Sequence, residues 1–224
     1  SPPVWVQKSL PEEWPERGID AHESGGIYLE WEPNPNEDIV AYIIYRATWY
    51  DVNDSLGEYD LLTTLVIESE QQLKYIDYFV DQQSTYYYKL KSLDASKNYS
   101  EFSDSLVYAL FPPIPLSAMS PNGISDVLGV ERQLSWFYPY AIEMEDYCLI
   151  VLTADNEFVT RGSFLPGSYI GVIESWQIPD KIEFESNHIY KWRVDTGARY
   201  VAGFETAGSE SPWATFLYIK KNTY

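Results

Sequence analysis

The sequence is short of the side chains that carry covalent and acid–base chemistry. One cysteine, Cys148, stands among 224 residues, which excludes an internal disulfide framework and any multi-cysteine metal site. Stability must therefore come from packing. A low cysteine count fits cytosolic and bacterial secreted proteins alike, so it leaves the compartment open. Histidine occurs only at His22 and His188. A serine or cysteine nucleophile needs a base beside it, and neither histidine sits in a recognisable motif. No catalytic residue, no metal ligand set and no cofactor site is read in the chain, which is expected not to be an enzyme.

Positive charge is scarce as well. Lysine and arginine number 15 against 34 aspartates and glutamates, a formal net charge of −19. The first 111 residues hold 7 basic and 20 acidic side chains, and the remaining 113 hold 8 and 14. Without a Lys/Arg cluster, the electrostatic term that draws proteins to phosphate has the wrong sign, which argues against nucleic acid and anionic membranes as partners. No apolar run approaches the length of a membrane-spanning helix, so no membrane insertion is expected. The chain opens on Ser1 and carries no leader segment, and it is read as a mature or trimmed chain. Helical periodicity is almost missing too.

Aromatics are abundant: 20 Tyr, 8 Trp and 9 Phe, 17% of the chain. Many sit in a pattern that occurs twice. Leu29 and Trp31 recur as Leu134 and Trp136, Tyr42 and Ile44 as Tyr147 and Leu149, and Tyr86, Tyr88 and Leu90 as Tyr190, Trp192 and Val194. The offsets are 105, 105 and 104 residues. A fixed period of one domain length means two copies of one fold. Short β segments are expected at 26–31, 40–47, 59–67, 73–80, 85–93 and 105–110, and again at 132–137, 145–154, 169–176, 189–195 and 213–219. Turn residues punctuate them, which points to all-β sandwiches. Pro112, Pro113 and Pro115 form a stiff junction. The expected domains are 1–111 and 112–224, the second with a longer, loop-rich insertion at 155–187.

These residues resemble fibronectin type III domains. The Leu-x-Trp, Tyr-x-Ile and Tyr-x-Tyr-x-Leu-x-Ser patterns, followed by the serine-rich stretch 97–105, match that family's core positions in the first copy. Residues 188–196 and 208–216 repeat them in the style of bacterial extracellular copies. The resemblance implies two tandem immunoglobulin-like (fibronectin type III) β-sandwiches in a secreted or cell-surface setting. It places Tyr86 and Tyr190 at the tyrosine corner, where a phenol hydroxyl bonds backbone, a structural role shared with the core tryptophans Trp31 and Trp136. Residues 10–25, with Trp14, and residues 155–187 depart from the family pattern.

Candidate interaction residues lie where the copies differ. Trp5, Trp14, Trp49, Tyr50, Tyr99 and Tyr200 fall at ends or in expected loops, where they serve either partner contacts or an inter-domain joint. In the strand around Cys148, Tyr147, Leu149 and Val151 should face the core, turning Cys148, Ile150 and Leu152 outward as an apolar stripe that needs a cover. That cover is expected from residues 155–187, or else from another chain. Nothing basic adjoins Cys148 in sequence to make it a reactive thiol. Residues 51–58 read as an acidic hairpin loop, with a calcium site as the alternative although the acids are out of EF-hand register. The sequons at Asn53 and Asn98 are short motifs that arise readily by chance.

The leading functional expectation is a non-catalytic extracellular binding, spacer or assembly module, with a protein partner or self-assembly first and a glycan as the other candidate. The alternatives are a structural subunit of a filament or envelope complex, motivated by the Cys148 stripe and by terminal segments 1–6 and 216–224 that could pair with a neighbour, and an accessory region of a carbohydrate-active enzyme.

Overall fold

A computed structural model describes residues 1–8, 17–35, 38–67, 73–142, 145–164, 172–198 and 206–220. Trp14, Tyr200 and most of the 10–25 segment's first half lie outside these residues. The chain forms two units: residues 1–8 and 17–111 with 206–208, and residues 112–198 with 209–220.

In the first unit, alternation of apolar and polar residues gives strands β1 (Ile19–Ala21), β2 (Ile27–Glu30), β3 (Ile39–Tyr50), β4 (Ser55–Leu56), β5 (Asp60–Val66), β6 (Lys74–Asp77), β7 (Thr85–Asp94) and β8 (Leu106–Leu110). One sheet has the order β1-β2-β6. The other runs β5-β3-β7-β8, with β4 closing a hairpin on the end of β3. The second unit repeats the plan with β9 (Met119–Ser120), β10 (Gln133–Phe137), β11 (Asp146–Thr153), β12 (Phe158–Phe164), β13 (Ile173–Gln177), β14 (His188–Ala198) and β16 (Ala214–Tyr218), and β15 (Ala207–Glu210) has its first two residues in the first unit and its last two in the second. Its sheets are β9-β10-β13 and β12-β11-β14-β16. Each unit is thus a three-on-four antiparallel sandwich, the fold class expected from the sequence.

The repeated residues are the cores. Leu29, Trp31, Tyr42, Ile44, Tyr86, Tyr88 and Leu90 are buried in one cluster, and Leu134, Trp136, Tyr147, Leu149, Tyr190, Trp192 and Val194 in another. Trp31 meets Tyr42, and Trp136 meets Tyr147, with ring centroids 5.4 Å apart in both. The Tyr86 hydroxyl accepts the Asp81 N–H (2.9 Å), and the Tyr190 hydroxyl accepts the Glu185 N–H (2.8 Å), five residues back in each case. A serine then turns the chain into the last strand. Ser103 Oγ accepts the Leu90 N–H and Ser211 Oγ accepts the Val194 N–H, both at 2.9 Å. The hydroxyl stands in for a ladder carbonyl, which keeps the buried N–H satisfied where the strand bends.

Three expectations are corrected by these elements. Residues 19–21, assigned to a departure from the family pattern, form β1. Three residues are too few to show a period, and Gly18 sets the strand by a positive φ of 79° with Glu30 O only 2.3 Å from where a Cβ would lie. Of the 155–187 stretch, the structure forms β13 (Ile173–Gln177) where a strand over 169–176 was expected and adds β12 (Phe158–Phe164), which was not. Its signal was masked by Gly162, which keeps the strand clear of Trp176 and Phe164: a Cβ there would come within 2.8 Å and 2.9 Å of their rings. Trp5, expected at an exposed end, is buried in the first core and donates from Nε1 to Asp104 O at 2.8 Å.

Candidate functional site

With Tyr42 and Ile44 committed to the first core, period two turns Ile43, Tyr45, Ala47 and Trp49 of β3 to the outer face of the four-stranded sheet. In β7 the same rule turns Tyr87, Lys89 and Lys91 outward. Two loops then furnish this face. Phe102, ahead of β8, meets Tyr45 edge to face at 5.1 Å. Tyr59, ahead of β5, donates to or accepts from Ser105 Oγ at 2.7 Å. Tyr59 precedes β5 and Ser105 precedes β8, the opposite edges of the sheet, so the two loops meet in this hydrogen bond. Trp49 and Tyr87 lie 6.2 Å apart at one end.

Two lysines thread these rings. The Lys89 ammonium lies 4.4 Å from the Tyr59 centroid and 5.6 Å from that of Phe102, and Lys91 lies 4.2 Å from Phe102. Each such contact is worth about 0.5–1 kcal/mol at a partly exposed site. Among the described residues neither lysine has a carboxylate within 4.0 Å. In a chain with 34 acids, two neighbouring ammonium groups held by rings alone are the most distinctive electrostatic feature of the first unit.

The structure separates the candidate pair Trp49 and Tyr50. Both sit on β3 rather than in a loop, and alternation sends them to opposite faces. Tyr50 lines a polar cleft of about 300 Å³ with Arg46, Thr48, Gly57, Glu58 and Asp60. Tyr99 is exposed, in the turn after β7. Residues 51–54 form the turn joining β3 to β4, as an acidic hairpin tip would.

Beside the cleft is a buried polar cluster. The Asp77 carboxylate is 0% exposed and accepts from Arg46 Nη1 (2.7 Å), the Tyr88 hydroxyl (3.0 Å) and the Phe79 N–H (3.0 Å). Arg46 also donates to Phe79 O, and its guanidinium lies 5.0 Å from the Tyr86 centroid. Burial pulls the Arg46 pKa down, but the hydrogen bond and charge of Asp77 outweigh it and leave the pKa raised. Burial, then the Asp77 charge, raises the Tyr88 phenol, which therefore keeps its proton and its role as donor. The donors and acceptors of this cluster are turned on one another, as in a structural ion pair.

The candidate stripe Cys148, Ile150 and Leu152 is buried. All three are buried in a cluster with Trp213, a residue from the bend before β16. Lys191 and Arg193, on the same face of β14, hold the indole by cation–π contacts at 4.5 Å and 5.0 Å. Arg193 is ion-paired to Asp195 (3.0 Å) and Glu210. Among the described residues the cover is therefore Trp213, from β16's side of the sheet, where 155–187 had been expected. Burial first, then the Asp195 charge, pushes the Cys148 thiol well above its ordinary pKa. We expect Cys148 to react with a disulfide-exchange reagent at least about a hundredfold more slowly than free cysteine, since a buried apolar thiol is inert. Trp213→Ala should speed the reaction by about tenfold or more while the far-ultraviolet dichroism stays unchanged. Rapid modification of the unmodified chain would show the cover to be wrong.

Sequence reasoning missed Tyr45, Tyr59, Tyr87, Lys89, Lys91 and Phe102. The strand members were recoverable from the phase set by the core residues. Tyr59 and Phe102 were not, because loops carry them across the sheet. Of the histidines, His188 lies 3.3 Å from Glu185 on an exposed turn. His22 Nδ1 lies 2.7 Å from Ser24 Oγ, but the same nitrogen also accepts the Ser24 backbone N–H (3.2 Å), the local geometry of the 22–26 turn.

No family model matches the chain, and no curated protein does. Among solved structures it is similar to the chicken interferon gamma receptor alpha chain (13% identity over 98% of this chain and 99% of that one, TM-score 0.35). It is also similar to a two-domain fibronectin type III segment of chicken tenascin (12%, 96% and 97%, TM-score 0.33). A third similar structure is a β-1,2-glucanase from Parabacteroides distasonis (23% over 49% of this chain, TM-score 0.34), of which the chain spans 14%.

Proposed function

We propose that the chain is a non-catalytic extracellular binding module, and that its first unit holds an acidic segment of a partner protein on the outer face of the β5-β3-β7-β8 sheet. The observation that carries this reading is the pair Lys89 and Lys91, held between Tyr59 and Phe102 and without carboxylate partners among the described residues of a chain of net charge −19. A partner's carboxylates supply what the chain itself withholds, while Trp49, Tyr87 and Tyr45 offer flat apolar area of the kind that dominates binding surfaces. The second unit acts as spacer. The extracellular setting rests on the resemblance read in the sequence.

The filament alternative keeps only the terminal segments 1–6 and 216–224 as its motive, since the apolar stripe at Cys148 is buried with Trp213.

Titration with poly-glutamate, followed by tryptophan fluorescence, tests the reading. We expect saturable binding that weakens steeply with salt and falls by about tenfold in Lys89→Gln/Lys91→Gln, the sum of two ion pairs near 0.5–1 kcal/mol each. Polygalacturonate forms the second arm. Tighter binding of that glycan would replace the acidic peptide by an acidic polysaccharide, and an unchanged affinity in the double variant would remove this face from consideration.

A further inference from the structure

Three outward side chains of β7 stand in one row. Tyr87, Lys89 and Lys91 alternate with the core residues Tyr88 and Leu90, and the ladder to β3 runs without a break from Thr48↔Tyr86 to Tyr42↔Ser92. An unbroken strand rises about 3.4 Å per residue, so neighbours in the row are about 6.7 Å apart. Each of the three is half-buried and keeps part of its surface open.

The row changes character along its length. At one end Tyr87 packs with Trp49 at 6.2 Å, a flat apolar surface. The other two positions are ammonium groups, and one ring holds both: the Phe102 centroid lies 5.6 Å from Lys89 and 4.2 Å from Lys91, with Tyr59 4.4 Å from Lys89. A ring contact steadies an ammonium group but leaves its N–H donors without an oxygen acceptor. Side chains steadied before a ligand arrives lose less freedom on binding it. Arg46, the remaining cation of β3, β5, β7 and β8, has the opposite phase and pairs with Asp77. The face therefore offers two places for acids, side by side, and an aromatic place next in line.

Spacing selects the shape of the occupant. In an extended chain, residues i, i+2 and i+4 point the same way and repeat at the strand's own spacing, so three side chains meet Tyr87, Lys89 and Lys91 in step. A helix repeats along one face at about 5.4 Å and slips by about 1.3 Å at each position of the row. Adjacent acids on an extended chain point to opposite sides, and only one of them reaches a lysine.

We infer that this row reads an extended peptide segment with acidic residues at two alternate positions, over Lys91 and Lys89, and an aromatic residue two positions beyond, against Tyr87 and Trp49. The inference rests on the function proposed above for this face and names the motif of the partner, in either chain direction.

The test uses the full chain, isotope-labelled for amide spectra, and acetylated, amidated peptides. Gly-Glu-Ser-Glu-Ser-Phe-Gly and its reverse, Gly-Phe-Ser-Glu-Ser-Glu-Gly, carry the motif in the two directions, and Gly-Glu-Glu-Ser-Ser-Phe-Gly has the same composition with adjacent acids. At least one motif peptide is expected to perturb the amides of 87–91 and to bind about fivefold more tightly than the adjacent-acid peptide, the effect of one further ion pair. Lys89→Gln/Lys91→Gln should erase that difference, and Tyr87→Ala should erase the advantage of Phe over Ala in the motif peptide. Equal binding of the two spacings, tighter binding of a helix-forming peptide with its acids four residues apart, or perturbations away from β7 would overturn the motif. Poly-glutamate bound while every short peptide is ignored would overturn it too, and leave the face as an unselective binder of acids. Poly-glutamate ignored along with the peptides would overturn the motif together with the reading it rests on.

Discussion

Asp77→Ala is expected to destabilise the first sandwich by about 3–5 kcal/mol, the cost of stripping one partner from a buried ion pair. The carboxylate is fully buried and answers three donors at once, Arg46 Nη1, the Tyr88 hydroxyl and the Phe79 N–H. Its removal leaves the buried Tyr88 hydroxyl without its acceptor and the Arg46 guanidinium with Phe79 O but no counter-charge from this strand. The loss is large against the 5–15 kcal/mol that holds a typical domain together. Replacing both charges, as in Arg46→Met/Asp77→Leu, should cost much less, because a buried pair exchanged for packed hydrophobics is often near neutral. Chemical denaturation of the single and double variants, read by fluorescence, separates the two. If Asp77→Ala and the double variant lose the same stability, the ion pair is not what the cluster contributes.

Trp136→Ala is expected to remove a comparable 3–5 kcal/mol, about the cost of deleting a buried indole and leaving its cavity. The ring is 2% exposed and meets Tyr147 at 5.4 Å and Phe164 at 6.0 Å, while Phe164 in turn meets Trp176 at 5.9 Å. The interior around Trp136 is therefore a chain of aromatic contacts that cannot close over the gap without moving β12 and β13. Trp136→Phe keeps part of the ring contact and should lose less. Denaturant midpoints at constant m-value make the comparison, and a loss below about 1 kcal/mol for Trp136→Ala would mean that the cavity collapses.

Neither residue was equally visible in advance. Trp136 is one of the repeated positions, and its burial follows from the Leu-x-Trp pattern and the strand period. Asp77 is a single acid in a chain rich in acids. Nothing local tells it apart from Asp81 or Asp94, which keep to the surface turns. Arg46 comes from β3 and Tyr88 from β7, 31 and 11 residues away, so the cluster exists only once three strands have come together.

The proposed binding face shows the same division. Lys89 and Lys91 alternate with the core residues Tyr88 and Leu90, and their outward direction is a matter of strand phase alone. That two phenyl rings then lie on them is not. Tyr59 and Phe102 reach the face from loops at opposite edges of the sheet. In the second copy the equivalent face receives Trp213 instead, which buries Cys148, Ile150 and Leu152 and leaves no stripe to present. A cover within the chain was the first expectation for this stripe, but its source, Trp213 where 155–187 was expected, could not be read, because a strand's period says which way a side chain points but not what lies above it.

By itself, then, the sequence determined the core and the fold class. The seven paired positions at spacings of 104 and 105 fix which residues face inward, and short strands of period two leave no other architecture that buries them. The tertiary structure decided what each outer face became. Covering residues come from loops far along the chain, and their positions depend on strand order and bends such as those at Ser103 and Ser211. No local pattern encodes those distances, so an apolar stripe and a lysine–aromatic face look alike until the sheets are folded.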